Sequence, residues 1–236
     1  MTLLRFFIEE TPPILDIKDR EVLAHISARR FAQGDEIIIC NREGKTYRYK
    51  ITKRKKGSVT VERVEEIDTF KPQRRIAYAQ SILKPRKLDL IITLGTQLGV
   101  EEFVFFISKR SSVTDIEIIE KRIERLRHLA VTSASISLDK VPEIKVLENL
   151  LSVLNMFPQS KPFMLYENAI ERLDLGWLGK NNIKDILLII GPEGGFDGEE
   201  VQMVRENGGF IFSLGERILT SEAAGLVALS LIQFGI

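Results

Sequence analysis

Apolar and polar positions along the chain follow two different periods. Over the first third they favour short strands. LLRFFIE is an extended opening, EIIIC is a compact apolar strand after a Gly34-Asp35 turn, and TYRYKIT alternates. SVTVERVEEI alternates again, with Val59, Val61 and Val64 as its apolar members. Only Glu21 to Phe31 is spaced like a helix in this region. The pattern predicts a small β-barrel-like domain. From about residue 69 the texture changes, and strands alternate with helices. IAYAQSI and EEFVFFIS read as strands flanking a helix over KLDLIITLGTQLG. A long amphipathic helix follows, with Ile116, Ile119, Ile123, Leu126 and Ala130 on one face, and another helix covers Ile144 to Asn155. Then come the strand PFMLYE, a loop GWLGKNN in which Trp177 is a packing residue, and the strand DILLII. A helix near Glu199 to Glu206, the strand FIFSL and a final helix from Ser221 to Phe234 complete the series. Such alternation specifies an α/β domain with a mostly parallel sheet covered on both faces. The two patterns meet near Asp68 to Pro72, which divides the chain into residues 1–69 and 70–236.

The 236 residues suffice for one large domain or two modest ones, and 44% apolar with 28% charged residues is an ordinary balance for a chain that buries a core. No apolar run approaches the roughly 20 residues of a membrane span, and MTLLRFFIEE lacks the layout of a secretory signal. The expectation is a soluble cytoplasmic protein. One cysteine and two histidines exclude a disulfide framework and leave no material for a Cys/His metal cluster. Cys40, closing EIIIC, reads as a buried structural thiol, and no metal is expected. Net charge is +1, yet seven basic residues and no acid lie between Lys45 and Lys56. Further basic groups stand at Lys71, Arg74 and Arg75 and at Lys84, Arg86 and Lys87. Charge alone leaves two readings open for the KRKKGS hairpin, a nucleic-acid contact or a solvated turn.

The segment LLIIGPEGGFDGEE, residues 187–200, carries the densest signal for a site. A continuous apolar strand ends at Gly191, Pro192 fixes a turn, and Gly194-Gly195 permit backbone angles that other residues resist. Asp197 and Glu200 have the spacing of a capping box at the start of a helix. In open α/β sheets ligands sit beyond the carboxyl ends of strands, where this loop would lie. GPEGGF does not have the GxGxxG spacing, and Ile39 stands where a Walker A motif ending at Gly44-Lys45-Thr46 needs its first glycine. Glu193 would repel a pyrophosphate, so the chemistry points away from phosphates. Taken alone the loop is equally a tight turn with no ligand. A second loop, SLGERILTSEAA, follows FIFSL, and Leu214-Gly215 would lie beside the first loop if their strands are neighbours. The last helix is apolar on nearly every side, which predicts burial in the core or against another subunit.

GPEGGF, then SLGxxIL, then a Glu-Ala stretch before a terminal apolar helix, resembles the bacterial 16S rRNA uridine N3-methyltransferase family of the SPOUT class. LRFF, Arg30-Phe31 with Gly34-Asp35, LGTQLGVEEF, FISKRS and FMLYENA agree with it, so the resemblance spans essentially the whole chain. It implies an N-terminal PUA-like RNA-binding barrel over residues 1–69 and a trefoil-knotted methyltransferase domain over 70–236. It further implies S-adenosylmethionine held by three loops: Leu165 and Tyr166 in the first, Ile190, Gly191, Glu193, Gly194 and Gly195 in the second, and Leu214, Gly215, Ile218 and Leu219 in the third. Expected RNA contacts are Arg5, Arg30, Lys53, Arg54, Lys55, Lys56 and Lys87. Glu222 and Thr220 occupy the catalytic positions, Glu222 orienting groups there and Glu193 mainly shaping its loop. The implied partners are 16S rRNA or the small ribosomal subunit and a second copy of the chain.

Departures concentrate on the RNA side. The family pattern Ile-Leu-Arg-x-Glu-Thr-Ala is here Ile218-Leu219-Thr220-Ser221-Glu222-Ala223-Ala224, so Thr220 replaces an arginine and Ala223 a threonine. Ala134-Ser135 and Leu138 stand where a Glu-Gln and an Arg are usual, and Gln97 where a Glu is usual. Threonine lacks both the charge and the fork of arginine. The alternative expectation is therefore a cofactor- or RNA-binding homologue with little or no methyl transfer.

Overall fold

The structure is a computed structural model that describes residues 4–69, 72, 74–173 and 175–235, with the side chains at 175, 177 and 178 left aside, so that Trp177 lies outside the described side chains. By backbone contacts the chain forms two compact units, Met1–Lys71 with Val131–Val141, and Pro72–Ala130 with Pro142–Ile236.

The first unit holds β1 (Leu4–Phe7), β2 (Ile14–Ile17), α1 (Arg20–Ala28), β3 (Glu36–Cys40), β4 (Thr46–Lys55) and β5 (Ser58–Ile67). The five strands form one sheet in the order β1-β3-β4-β5-β2. β1 runs parallel to β3, and the other pairs are antiparallel. Alternation in β4 and β5 turns Tyr47, Tyr49, Ile51, Val59 and Val61 inward, where they pack with Ile26 and Phe31. Val64, read as part of that face, is instead 52% exposed; a register shift between Arg48 and Tyr49 breaks the pairing beside it. Cys40 is buried.

The second unit contains β6 (Arg75–Ser81), α2 (Pro85–Gln97), β7 (Glu102–Ile107), α3 (Glu117–Glu120), α4 (Ile123–Ser137), β8 (Glu143–Asn149), α5 (Leu150–Met156), β9 (Lys161–Leu165), α6 (Leu175–Asn181), β10 (Asp185–Ile190), α7 (Gly198–Glu206), β11 (Phe210–Phe212) and α8 (Ser221–Phe234). The end of α4 packs with the first unit. Its six strands run in the order β11-β9-β10-β6-β7-β8, every pair parallel. Central β10 is buried on both faces through Ile186 to Ile190, which explains its unbroken apolar run.

Three expectations are corrected. Residues 144–149 belong to β8, paired with β7, and the helix begins only at Leu150, where Asn149 accepts a bond from the Ser152 amide at 2.9 Å. GWLGKNN lies largely in α6 and is not a loop. The long helix from Ile116 is broken into α3 and α4, although Ile119, Leu126 and Ala130 are all buried.

Candidate active site

Three loops leave the carboxyl ends of β9, β10 and β11. β9 lies between the other two strands, so the condition that the strands of the second and third loops be neighbours is not met. The first loop fills the interval, and the three line an open cavity of about 720 Å³, a volume suited to a cofactor-sized ligand. Every residue expected to hold the cofactor lines it: Leu165, Tyr166, Ile190, Gly191, Glu193, Gly194, Gly195, Leu214, Gly215, Ile218 and Leu219. Thr220 and Lys87 line it as well, whereas Glu222 does not. Ile218 is 91% exposed, so in this open cavity it stands at the mouth and forms no closed wall.

The second loop is fixed by close packing and by a buried polar lock. Gly195 has φ +69°, which favours glycine, and a Cβ there would lie 2.7 Å from Glu167 Oε1, so that exposed side chain would have to move aside. Beneath the loop, Gln80 on β6 is fully buried and donates from Nε2 to the Gly191 carbonyl at 3.2 Å and to Ser221 Oγ at 3.0 Å. Ser221 Oγ in turn donates to the Gly191 carbonyl at 2.5 Å. One side chain thus ties the loop after β10 to the first turn of α8. Sequence reasoning missed Gln80 and Ser221; the available signal was a lone amide in the apolar strand IAYAQS, since buried polar groups need partners. Close by, Gly225 of α8 lies directly against Tyr78 of β6. Burial, and then the nearby Glu222 carboxylate, push the Tyr78 phenol far above its ordinary pKa, so it stays protonated.

Charge in the cavity centres on Lys87 near the start of α2. Its Nζ donates to Glu193 Oε1 at 3.0 Å and lies 3.1 Å from Glu222 Oε2. Burial would lower the Lys87 pKa, but the two carboxylates outweigh it and raise it. Burial likewise would raise that of Glu222, yet its own backbone amide, the Lys87 ammonium and the Thr220 hydroxyl hold it below the usual carboxylate range. Lys87 and Glu222 are therefore both charged near neutrality. Lys87, expected among the RNA contacts, is paired with both acids singled out at the site.

At the start of α7 the capping box is complete. Glu200 N donates to Asp197 Oδ1 at 2.9 Å, and Asp197 N to Glu200 Oε2 at 3.1 Å. The buried Glu200 carboxylate also accepts from Ser108 Oγ at 3.0 Å and from the Lys109 amide at 3.1 Å. Lys109 Nζ pairs with Asp197 and Glu199. FISKRS is thereby anchored on α7, and the Arg110 carbonyl comes within 3.0 Å of where a Gly194 Cβ would be.

The remaining RNA candidates lie in the first unit. Lys53, Lys55 and Lys56 are exposed along the β4–β5 hairpin. Arg54 is engaged, donating to the Phe31 carbonyl at 2.5 Å and to Ser27 Oγ at 3.2 Å. Arg5 donates to the Ile136 carbonyl at 2.7 Å. Arg30 is exposed with φ +58°. Among the described residues no group of acids, histidines or cysteine is placed to hold a metal ion, and no helix is long and apolar enough to cross a membrane.

A parallel sheet with a three-loop cavity beyond its strand ends, joined to a small strand-rich unit, is an architecture shared with known proteins. Residues 70–233 match the family model described as RNA methyltransferase domain, and residues 17–62 match the RNA methyltransferase PUA domain. The chain belongs to this RNA methyltransferase family. Its relatives include ribosomal RNA small subunit methyltransferase E of Bacillus subtilis, 30% identical over 98% of this chain and 96% of the relative. The protein of the same name from Mesomycoplasma hyopneumoniae is 28% identical over 96% and 97%. Among solved structures, ribosomal RNA small subunit methyltransferase E from Neisseria gonorrhoeae bound to S-adenosyl methionine has the same fold. Its TM-score is 0.86 at 24% identity, over 99% of this chain and 98% of that one.

Proposed function

We propose that this chain, as a homodimer in the cytoplasm, transfers a methyl group from S-adenosylmethionine to N3 of a uridine in 16S rRNA. The observation that carries the reading is the cavity, in which the three loops named from sequence come together. Its lining fits this cofactor. Leu165, Ile190, Leu214 and Leu219 offer apolar surface to an adenine, and the glycines leave backbone groups open to hydrogen bonding. Two glutamates beside the single Lys87 suit a sulfonium, and the Neisseria gonorrhoeae relative carries this cofactor. In this reading the third loop and α8 complete a trefoil knot around the cavity, and the N-terminal unit grips the RNA. Bound there, S-adenosylmethionine supplies an electrophilic methyl group. The protein has then to position the base and remove the proton from N3.

One feature favours a second reading, a binding homologue with little transfer: Thr220, on the cavity wall, stands in place of an arginine. The test is purified protein with methyl-labelled S-adenosylmethionine and small ribosomal subunits lacking the modification, read by nucleoside mass spectrometry of the 16S rRNA. N3-methyluridine is the expected product. Cofactor binding without any methylated nucleoside would establish the second reading instead.

A further inference from the structure

Removal of the N3 proton needs an acceptor, and the cavity narrows the choice. Its lining holds three carboxylates, Glu167, Glu193 and Glu216. Glu216 is 94% exposed at its side chain and pairs with Arg172 at 3.3 Å. Glu167 is exposed and lies against Gly195. The Glu193 side chain is 34% exposed. Its Oε1 accepts from Lys87 Nζ at 3.0 Å, while Oε2 has no protein partner among the described residues. Glu222 is outside the lining, its side chain is only 16% exposed, and its charge is stabilised by Lys87 and its own amide. A proton acceptor has to lie within hydrogen-bond reach of the base, which favours a group on the lining.

We infer that Glu193, rather than Glu222, accepts the N3 proton of the substrate base, and that Lys87 is the residue that positions it. The step balances as follows. The N3–H bond breaks and its proton forms an O–H bond on Glu193 Oε2. The electron pair left on N3 forms the bond to the transferred methyl, and the pair of the broken C–S bond stays on sulfur. The neutral carboxyl group returns its proton to water on product release. This inference rests on the uridine N3 reading and assigns a role that the family resemblance did not give to Glu193. Thr220 then needs no catalytic part, which accommodates the missing arginine.

The test uses full-length wild type, Glu193→Gln, Glu193→Asp and Glu222→Gln. Single-turnover methyl transfer is followed from neutral to alkaline pH, and S-adenosylmethionine binding is measured by calorimetry. Glu193→Gln should lose about 100-fold or more near neutrality, with Glu193→Asp retaining more than Glu193→Gln. The deficit should narrow as pH rises, because N3 then ionises without help. Cofactor affinity should fall far less than the transfer rate, by about tenfold at most. A Glu193→Gln enzyme with wild-type rate, a deficit independent of pH, or a larger loss in Glu222→Gln would each overturn the assignment. Lost cofactor binding in Glu193→Gln would overturn it too, making Glu193 a cofactor contact. A wild type that methylates no uridine N3 refutes the underlying reading, a result separate from all of these.

Discussion

At the residue scale the site depends on a few contacts that tolerate no added atoms. A Cβ on Gly225 would lie 1.7 Å from Tyr78 Oη and 2.8 Å from its Cζ, and Tyr78 is fully buried on β6. Neither partner has room to yield, so Gly225→Ala should push α8 off the sheet. We expect a loss of about 1–3 kcal/mol in unfolding free energy, read by urea denaturation, together with weaker cofactor binding because Ser221 moves with the helix. An unchanged midpoint would show that α8 is not packed as described. Residues of this kind divide into legible and illegible ones for a physical reason. The glycines and apolar residues of the loops could be read because backbone freedom and strand ends leave local traces in sequence. The partners of Gln80 and Lys87 could not, since they lie 111 and 106 positions away in the chain, although an amide within an apolar strand marked Gln80 itself. Nothing near Lys87 in sequence distinguishes a lysine that meets RNA from one that meets two acids.

At the scale of elements, misreadings fall where local pattern and tertiary pairing disagree. EIKVLENLLSVLN suits either period, and pairing with β7 makes its first half a strand. The Asn149 cap was a visible stop that the apolar spacing masked. In GWLGKNN two glycines argue for a loop, each costing about 1 kcal/mol in a helix, yet α6 forms against α8. The break between α3 and α4 places Arg122 and Arg125 on Asp89 of α2, each at 2.9 Å. The β4–β5 hairpin carries a prediction of its own, because its cations are not equivalent. Arg54 clamps the end of α1 while Lys55 and Lys56 are unengaged. Arg54→Ala should cost roughly 1 kcal/mol of stability. The double change Lys55→Ala with Lys56→Ala should leave stability intact and lower RNA affinity, the salt slope falling by about one per lost phosphate contact. Binding titrations at several salt concentrations, beside thermal melts, separate the two; the reverse assignment of effects would refute this division.

At the scale of the whole molecule, the alternation of periods made the α/β class and the separate N-terminal unit readable, because periodicity reports burial directly. The return of residues 131–141 to the first unit left no such mark. Association remains open to test. Val227 and Phe234 on α8 and Leu90 and Leu94 on α2 are 37–49% exposed, on two helices that pack together. A dimer covering them should sediment at twice 26.9 kDa, and Val227→Asp with Phe234→Asp should halve that mass; a monomeric wild type would sink the proposal. A last consequence concerns competition among small molecules that share an adenosine half. Helix N-termini ordinarily attract phosphate, but Asp197, Glu199 and Glu200 already occupy the start of α7 with the protein's own carboxylates. A phosphate group at that helix start would meet anions where a dinucleotide enzyme offers bare amides, so the phosphates of a nucleotide gain nothing there.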